Sequence, residues 1–284
     1  MTAVTGATAP FHLSDDQRDI QAMVRAFSDE RIAPHAIEWD QTHHLPVDVL
    51  RDAAGLGLGA IYAREAFGGS GMSRLDAALI FEALATGCPA VSAFLSIHNM
   101  ATWMIDTYGS DAQRERFIPS MATFSTIGAY CLTEAGAGSD AGSLATKAVR
   151  DGDDYVLSGV KQFISGAGTA GVYVVMARTG GPGPKGVTAF IVEDGTPGLS
   201  FGKQEIKMGW KAQPTAQVIL DDCRIPAENR LGDEGQGFRI AMSGLDGGRL
   251  NIGACSLGGA QAALEKATAY VGEREQFGAT IGSL

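Results

Sequence analysis

The chain has 284 residues with a formal net charge of −10 at pH 7, and 45% of its residues are hydrophobic against 19% that are charged. This length predicts two or three domains, and this composition excludes a disordered chain. Binding to nucleic acid or to an anionic membrane is not expected, because both require clustered lysine and arginine. The longest apolar run, residues 89–104, falls short of the roughly 20 residues of a membrane helix and contains two serines, a histidine and an asparagine. We expect a helix buried in protein there.

The cysteines predict a reducing compartment. All four lie far apart in the sequence, and no C-x-x-C pair occurs. Without a recognisable signal peptide, this arrangement predicts free thiols in a cytoplasmic protein and no metal site. Residues 1–10 lack the Arg-rich, amphipathic character of an organelle transit sequence, and we expect them to form a frayed tail.

Helical patterns dominate the first 125 residues. Ser14 and Gln17 have the spacing of a capping box, and apolar residues follow at helical intervals. A second helix is expected from about Pro46, and a glycine-rich segment at 67–71 separates it from an Ala-rich helix at 75–86. We predict an N-terminal all-helical domain over residues 1–125.

Short β-branched and aromatic runs replace the helical pattern after Thr126. The predicted strands are IGAYCL, DYVLSGVKQFIS, GVYVVMART, GVTAFIVE, GLSFGKQ and QVILDDCRI. They recur about every ten to twenty residues with Gly, Pro and Asp between them, which is typical of an antiparallel β-sandwich or barrel. The GGPGPKG segment at 180–186 indicates a hairpin-like loop. We predict a central β domain over residues 126–232.

Helical spacing returns beyond Gly237, so residues 233–284 are expected to begin a C-terminal helical domain. A single long helix without further packing would expose apolar surface, because helices are stabilised mainly by burying such a face. We therefore expect a further segment or a partner to cover it. The predicted fold class is α+β, with the C-terminal domain incomplete.

The string YCLTEAGAGSD, from Tyr130 to Asp140, leaves a predicted strand and passes through a glycine-rich turn. Two interpretations are open: backbone amides that bind anionic oxygens, or a tight turn whose glycines only supply positive φ angles. The G-x-G-x-x-G fingerprint between a strand and a helix is absent, so nicotinamide binding of the Rossmann type is not expected.

A second string, KQFISGAG at 161–168, places Phe163 and Ser165 in a predicted strand. A phenyl ring and a hydroxyl donor there could contact an aromatic cofactor ring. Taken alone, an aromatic residue in a strand is more commonly part of the core, because aromatic side chains are ordinary sheet formers.

Together these strings, in this order and in this layout of helices, strands and helices, resemble the acyl-CoA dehydrogenase family over essentially the whole chain. The resemblance continues through GPKGVTAFIVEDGTPGLSFGKQEIKMGW, DCRIPAENRLGDEGQGF and REQFG. Within the family the chain looks closest to the isobutyryl-CoA dehydrogenases, through FISGAG, RTGGPGPKG and the GLDGGRLNI string at 244–252.

The resemblance implies a bound FAD and an acyl-CoA substrate. Arg274 and Phe277 would reach the FAD of a neighbouring subunit, although Arg274 could instead pair with an adjacent glutamate and Arg249 could be an ordinary surface charge. The implied FAD contacts within the subunit are Tyr130, Leu132, Thr133, Gly138, Ser139, Phe163, Ile164 and Ser165. The implied substrate contacts are Ser139, Asp246, Gly247, Gly248 and Arg249.

The family reaction removes a proton from the carbon alpha to the thioester and transfers a hydride from the beta carbon to the flavin. The alpha C–H is a very weak acid, so a carboxylate must take the proton while oriented donors polarise the carbonyl. The usual family base is a glutamate in the C-terminal helical segment, expected beyond Leu284, and the alternative family position is Gly248 here. No catalytic base is therefore identified in this chain, because Asp246 and Glu234 do not occupy a family base position. The glycine pair at 247–248 could instead make room for a branched acyl group.

The leading hypothesis is a dehydrogenase of short, branched acyl-CoA in fatty acid or valine catabolism, acting as a cytoplasmic homotetramer. By resemblance it would pass electrons to an electron-transfer flavoprotein, with Glu205 as a candidate contact. Two alternatives stay open: a non-catalytic flavin-binding or scaffolding subunit that lacks the base, and an oxidase of the same fold that reduces oxygen directly.

Overall fold

The computed structural model describes residues 12–284, so the frayed tail predicted at residues 1–10 lies outside the described residues. The α+β class is confirmed: a helical part is followed by a β-sheet and then by one long helix. The three domain ranges predicted from the sequence remain predictions.

Serine capping boxes begin three helices of the N-terminal part. The predicted box at Ser14 is present, and Ser73 and Ser110 form equivalent boxes that start two later helices. A π-helical turn at Ser28–Ile32 follows the first helix. The α-helices are α1 Asp15–Phe27, α2 Ala36–Thr42, α3 Val47–Gly55, α4 Arg74–Ala85, α5 Pro89–Tyr108 and α6 Asp111–Ala122.

Helix α5 is buried on most of its surface, as its sequence predicts. Several of its polar side chains reach partners inside the protein. Asn99 Oδ1 accepts from the backbone N–H of Ile61 at 2.7 Å, and its amide donates to the carbonyl of Leu58 at 3.0 Å. Within residues 12–284, no helix combines the length and apolar character that crossing a bilayer requires.

His98 joins α5 to the start of the β-sheet. Its Nδ1 accepts from the N–H of Gly128 at 2.9 Å, and its Nε2 lies 3.0 Å from the carbonyl of Met121, to which it donates as the neutral tautomer. The ring is fully buried and packs on Phe124. Burial lowers the pKa of His98 from 6.5 to about 4. The imidazole therefore stays neutral in the folded protein over most of the acidic range.

Acid should destabilise the protein through His98. Below pH 6.5 the unfolded chain protonates this histidine, whereas the folded protein does not do so until about pH 4. The free energy of unfolding is expected to fall as the pH drops through this window, by about 3 kcal/mol in total from this group. Urea unfolding at pH 7.0 and pH 4.5 measures the loss. His98→Gln should show a smaller pH dependence than the wild type, and equal dependence would contradict this role.

The β part is one mixed sheet of eight strands, in the order β6-β7-β3-β2-β4-β5-β8, with β1 paired to β4. Most neighbours are antiparallel as predicted, and segment 180–186 joins the antiparallel pair β4 and β5. β1 runs parallel to β4, which is possible because a long connection rather than a hairpin links them. The strands are β1 Gly128–Cys131, β2 Lys147–Asp151, β3 Asp154–Ser165, β4 Val172–Arg178, β5 Val187–Glu193, β6 Leu199–Phe201, β7 Thr215–Pro226 and β8 Arg230–Leu231.

The long helix α7, Gly237–Glu273, packs along α4 and α5. Glycine allows this close approach: a Cβ atom at Gly258 would lie 2.0 Å from the carbonyl oxygen of Glu82. The opposite face of α7 exposes leucines at 250, 257 and 264, in agreement with the predicted uncovered face. A short hairpin of β9, Glu275–Gln276, and β10, Ala279–Thr280, follows the helix.

Candidate functional site

A cavity of about 400 Å³ lies where the end of β1, the loop after it and the end of β3 meet α5 and α7. This volume falls in the range of small-molecule sites. Four side chains with hydroxyl groups, an arginine and many apolar side chains form its wall. The lining residues are Ile97, Met100, Tyr130, Leu132, Thr133, Gly138, Ser139, Ala141, Phe163, Ile164, Ser165, Phe238, Met242, Leu245 and Arg249.

The structure brings together the eight residues predicted for FAD within the subunit, and it adds Arg249 from α7. Their roles remain predictions. Asp246 lies outside the cavity wall and forms an exposed ion pair with Arg249, with Oδ1 and Nη1 2.6 Å apart. Arg274 and Phe277 follow the end of α7, away from the cavity, and Phe277 is exposed.

The predicted glycine pair of α7 does not line the cavity. A Cβ atom at Gly247 would lie 2.0 Å from Nη1 of Arg74, so this glycine packs on that guanidinium group. Arg74 itself is stacked between the rings of Tyr62 and Trp103. A Cβ atom at Gly248 would lie 3.3 Å from Sδ of Met100, which does line the cavity. A Cβ atom at Gly248 therefore needs Met100 to move by a few tenths of an ångström, whereas one at Gly247 would overlap the guanidinium group of Arg74.

The glycine-rich loop after β1 is held by a tight turn in which the backbones of Glu134 and Ala137 exchange two hydrogen bonds. Neither Gly136 nor Gly138 has a positive φ angle. The interpretation that these glycines only supply positive φ is therefore wrong. A Cβ atom at Gly138 would meet no atom within 4 Å, so the backbone there is open for close approach by a ligand.

Phe163 is 61% exposed, so the interpretation that places it in the core is wrong. The pairing of β3 with β7 contains a bulge: Lys161 lies opposite Val218, but Ile164 lies opposite Ala216. Phe163 falls within this bulge with a φ angle of 60°, which is unusual for an aromatic residue. The bulge interrupts the alternation of the strand and turns the ring into the cavity wall.

A buried ion pair supports the floor of the cavity. The fully buried Lys161 Nζ donates to Oε1 of Glu134 at 2.7 Å and to the carbonyl of Leu132 at 3.1 Å. Glu134 also accepts from the N–H of Ala145 at 2.6 Å and from both the N–H and the hydroxyl of Thr146. The sequence interpretation missed this pair, although a lysine in a strand rich in apolar residues was a usable signal.

Burial and ion pairing have opposite effects on the pKa values of Lys161 and Glu134. Desolvation is the largest effect on the pKa of Lys161 and lowers it, while Glu134 opposes this change. Desolvation acts to raise the pKa of Glu134, but hydrogen bonds from Lys161, Thr146 and Ala145 together bring it below its usual value. Each charge therefore offsets part of the cost of burying the other.

Two buried polar atoms near the cavity lack partners. The hydroxyl of Tyr130 is buried in the cavity wall without a hydrogen bond, and burial raises the pKa of Tyr130. Oε1 of Gln213 is also unpaired, although Nε2 of the same amide donates to Oγ of Ser165. An unmade buried hydrogen bond is costly, so such atoms are expected where a bound group completes the site.

Within the described range 12–284, no carboxylate lines the cavity. The nearby acids considered from the sequence are bonded elsewhere: Glu234 accepts from the hydroxyl of Tyr155, and Asp246 pairs with Arg249. The same range contains no group of three or more His, Cys, Asp or Glu that could hold a metal ion. The wall can therefore bind and orient a ligand, but it lacks an acidic side chain to take a proton.

Sequence reasoning missed six lining residues. Phe238, Met242, Leu245 and Arg249 form one face of α7 at helical spacing, so extending the face from Arg249 would have found the first three. No local signal identified the others. These are Ile97, Met100 and Ala141.

Comparison with known proteins gives the same domain order. Residues 14–125, 129–223 and 235–284 match the N-terminal, middle and C-terminal domains of acyl-CoA dehydrogenases. The chain is 54% identical over 271 residues to the mitochondrial isobutyryl-CoA dehydrogenase of Bos taurus, and 55% identical over 266 residues to that of Dictyostelium discoideum. These alignments cover 95% and 93% of this chain but 65% and 64% of the relatives, so the chain spans less than two thirds of their length.

Comparison with solved structures agrees with the domain matches. The structure of butyryl-CoA dehydrogenase from Megasphaera elsdenii matches with a TM-score of 0.92 at 38% identity, over 96% of this chain and 73% of that one. Matches to all three domains in the same order, together with this fold and the high identity to the two relatives, establish that the chain belongs to the acyl-CoA dehydrogenase family.

Proposed function

We propose that the protein is a FAD-dependent dehydrogenase that oxidises a short, branched acyl-CoA such as isobutyryl-CoA to the 2-enoyl-CoA. The observation that carries this proposal is the convergence of eight expected flavin residues and Arg249 on one cavity. The two relatives named isobutyryl-CoA dehydrogenase support the branched acyl group.

The cavity wall suits an isoalloxazine ring. Thr133, Ser139 and Ser165 offer hydroxyl groups, and Phe163 offers an exposed ring for stacking. The unpaired hydroxyl of Tyr130 and the open backbone at Gly138 fit a bound group that completes the site. FAD, when bound, would accept the hydride from the beta carbon of the substrate.

The α5 and α7 side of the cavity suits the acyl thioester. Met100, Met242 and Leu245 form an apolar surface that would exclude water from a short acyl chain. Arg249 places a positive charge at the same wall, where it could attract the CoA portion. The proton from the alpha carbon needs a carboxylate, and none lines the cavity within residues 12–284.

The lack of a carboxylate in the described wall favours one second candidate, a flavin-binding subunit without catalysis. An anaerobic titration of the FAD-loaded chain with isobutyryl-CoA separates the two. Loss of the oxidised flavin absorbance is expected for the dehydrogenase. A flavin that stays oxidised with every short acyl-CoA would favour the non-catalytic subunit, and failure to bind FAD would contradict both. Rapid reoxidation in air during turnover would indicate an oxidase.

Arg249→Ala should weaken binding of isobutyryl-CoA about tenfold, because it removes a charged hydrogen-bond donor from the cavity wall. Calorimetric titration of the FAD-loaded protein measures the change. Lys266→Ala removes an exposed positive charge from the same helix outside the cavity and should leave affinity unchanged. Equal affinities of the two variants would contradict the role of Arg249.

We further propose an electron-transfer flavoprotein as the acceptor, a homotetramer as the assembly and the cytoplasm as the location. Glu205 is half-buried and hydrogen-bonded to Gln162, next to the exposed Ile206 and Met208, which suits a contact with another protein.

The uncovered face of α7, with its exposed leucines, supports assembly into a homotetramer. Four free, buried thiols are consistent with a reducing compartment, although both relatives are named as mitochondrial proteins.

A further inference from the structure

Gln213 lies directly behind the cavity wall, in the segment that leads into β7. It is 5% exposed, and its Nε2 donates to Oγ of Ser165 at 2.5 Å. Ser165 ends β3, pairs with Thr215 at the start of β7 and lines the cavity. The side chain of Gln213 therefore reaches a cavity hydroxyl from the protein side without lining the cavity itself.

This contact determines whether the Ser165 hydroxyl can donate a hydrogen bond toward the cavity. A serine hydroxyl has one hydrogen to donate and two lone pairs that accept. Accepting from Gln213 occupies a lone pair on the protein side and leaves the hydrogen free. Within residues 12–284, no other group forms a hydrogen bond with Oγ of Ser165. The hydroxyl is therefore available as a donor toward the cavity.

The backbone of Gln213 is held in place from two directions. Its N–H donates to the carbonyl of Trp210 at 3.1 Å, and its carbonyl accepts from the ammonium group of Lys207. The same ammonium group donates to the hydroxyl of Thr215 at 2.9 Å. The amide of Gln213 is buried while its Oε1 lacks a partner. An apolar side chain of the same size would avoid that cost, so the placement of a donor against Ser165 calls for a functional reason.

We propose that Gln213 is a positioning residue that fixes Ser165 as a hydrogen-bond donor toward the ring of the bound flavin. This inference rests on the proposed function, since it requires FAD in the cavity. A donor aimed at the ring stabilises the electron-rich, reduced form more than the oxidised form. Gln213 thereby raises the reduction potential of the flavin without touching it.

A double-mutant cycle tests the proposal with Gln213→Met, Ser165→Ala and the combined variant. Methionine has nearly the same length and cannot donate. Each single variant should lower the two-electron reduction potential by about 30 mV, which corresponds to a tenfold change in the equilibrium constant. Each should also shift the visible spectrum of the flavin. The combined variant should show no larger shift than either single variant, because both changes remove one interaction.

The outcomes separate this inference from the proposed function. A wild type that binds no FAD would overturn both. A wild type that binds FAD while Gln213→Met keeps the same potential and spectrum would overturn only the role of Gln213, and additive shifts would do so as well. Gln213→Glu provides a second variant of the same shape, whose carboxylate accepts from Ser165 and reverses the hydrogen bond. It should lower the potential at least as much as Gln213→Met, and a wild-type potential would contradict the proposal.

Discussion

Lys161→Met is expected to lower the free energy of unfolding by about 3–5 kcal/mol, because it leaves the carboxylate of Glu134 buried without its cation. Methionine fills a similar volume, so the loss reflects charge and hydrogen bonding more than packing. The carbonyl of Leu132 loses its donor at the same time. Urea unfolding at pH 7, followed by circular dichroism, measures the change.

Two comparisons show whether burial causes this loss. Arg224 forms an ion pair with Asp151 in the same sheet, 2.6 Å apart but largely exposed, so Arg224→Met should cost much less stability than Lys161→Met. Combining Lys161→Met with Glu134→Gln removes both buried charges and should recover much of the stability lost by the single variant. The interpretation fails if Lys161→Met costs no more than Arg224→Met.

The Lys161 pair also connects stability to the cavity. Leu132 and Thr133 lie between the pair and the cavity, and the carbonyl of Thr133 accepts from the N–H of Gln162 at 2.8 Å. The loop after β1 is thus attached to β3 by adjacent hydrogen bonds to the carbonyls of Leu132 and Thr133, two of the predicted flavin contacts. A change at Lys161 should therefore weaken FAD binding as well as folding.

Local sequence patterns predicted helices and strands that contain a capping box or a long apolar run. The capping box at Ser14 begins α1, and the run DYVLSGVKQFIS is β3 from its first to its last residue. β2 was missed because only one of its five residues, Ala148, is buried, which leaves no alternating pattern to recognise. The parallel pairing of β1 with β4 depends on the fold of the whole sheet, so neither strand indicates it alone.

The candidate site shows the same difference between residues with a local sequence signal and residues whose role depends on the whole fold. Short strings predicted Thr133, Ser139 and Ser165, which the fold brings to one cavity. The exposure of Phe163 could not be predicted, because it depends on a bulge that appears only when β3 pairs with β7. Gln213 was missed for a related reason: it lies 48 residues from Ser165 in sequence, and its contact exists only in the folded protein.

Gly248→Glu is expected to accelerate reduction of the flavin by isobutyryl-CoA about 10²- to 10⁴-fold relative to the unsubstituted chain, because it brings a carboxylate beside a cavity wall that has none within residues 12–284. A side chain from this position would start 3.3 Å from Sδ of Met100, a flexible group that lines the cavity. Glutamate is also a better helix former than glycine, so α7 should tolerate the change.

Gly248→Gln provides the matched control, since it has the same shape but cannot take a proton. Anaerobic stopped-flow measurement of the flavin absorbance compares the two variants. The glutamate variant should react faster as the pH rises through the pKa of its new carboxyl group, because only the ionised form accepts the alpha proton. Equal rates for the two variants would show that the new carboxylate does not remove the alpha proton. A fast, pH-dependent reaction of the glutamate variant alone would mean that this cavity already holds the thioester with its alpha carbon next to α7.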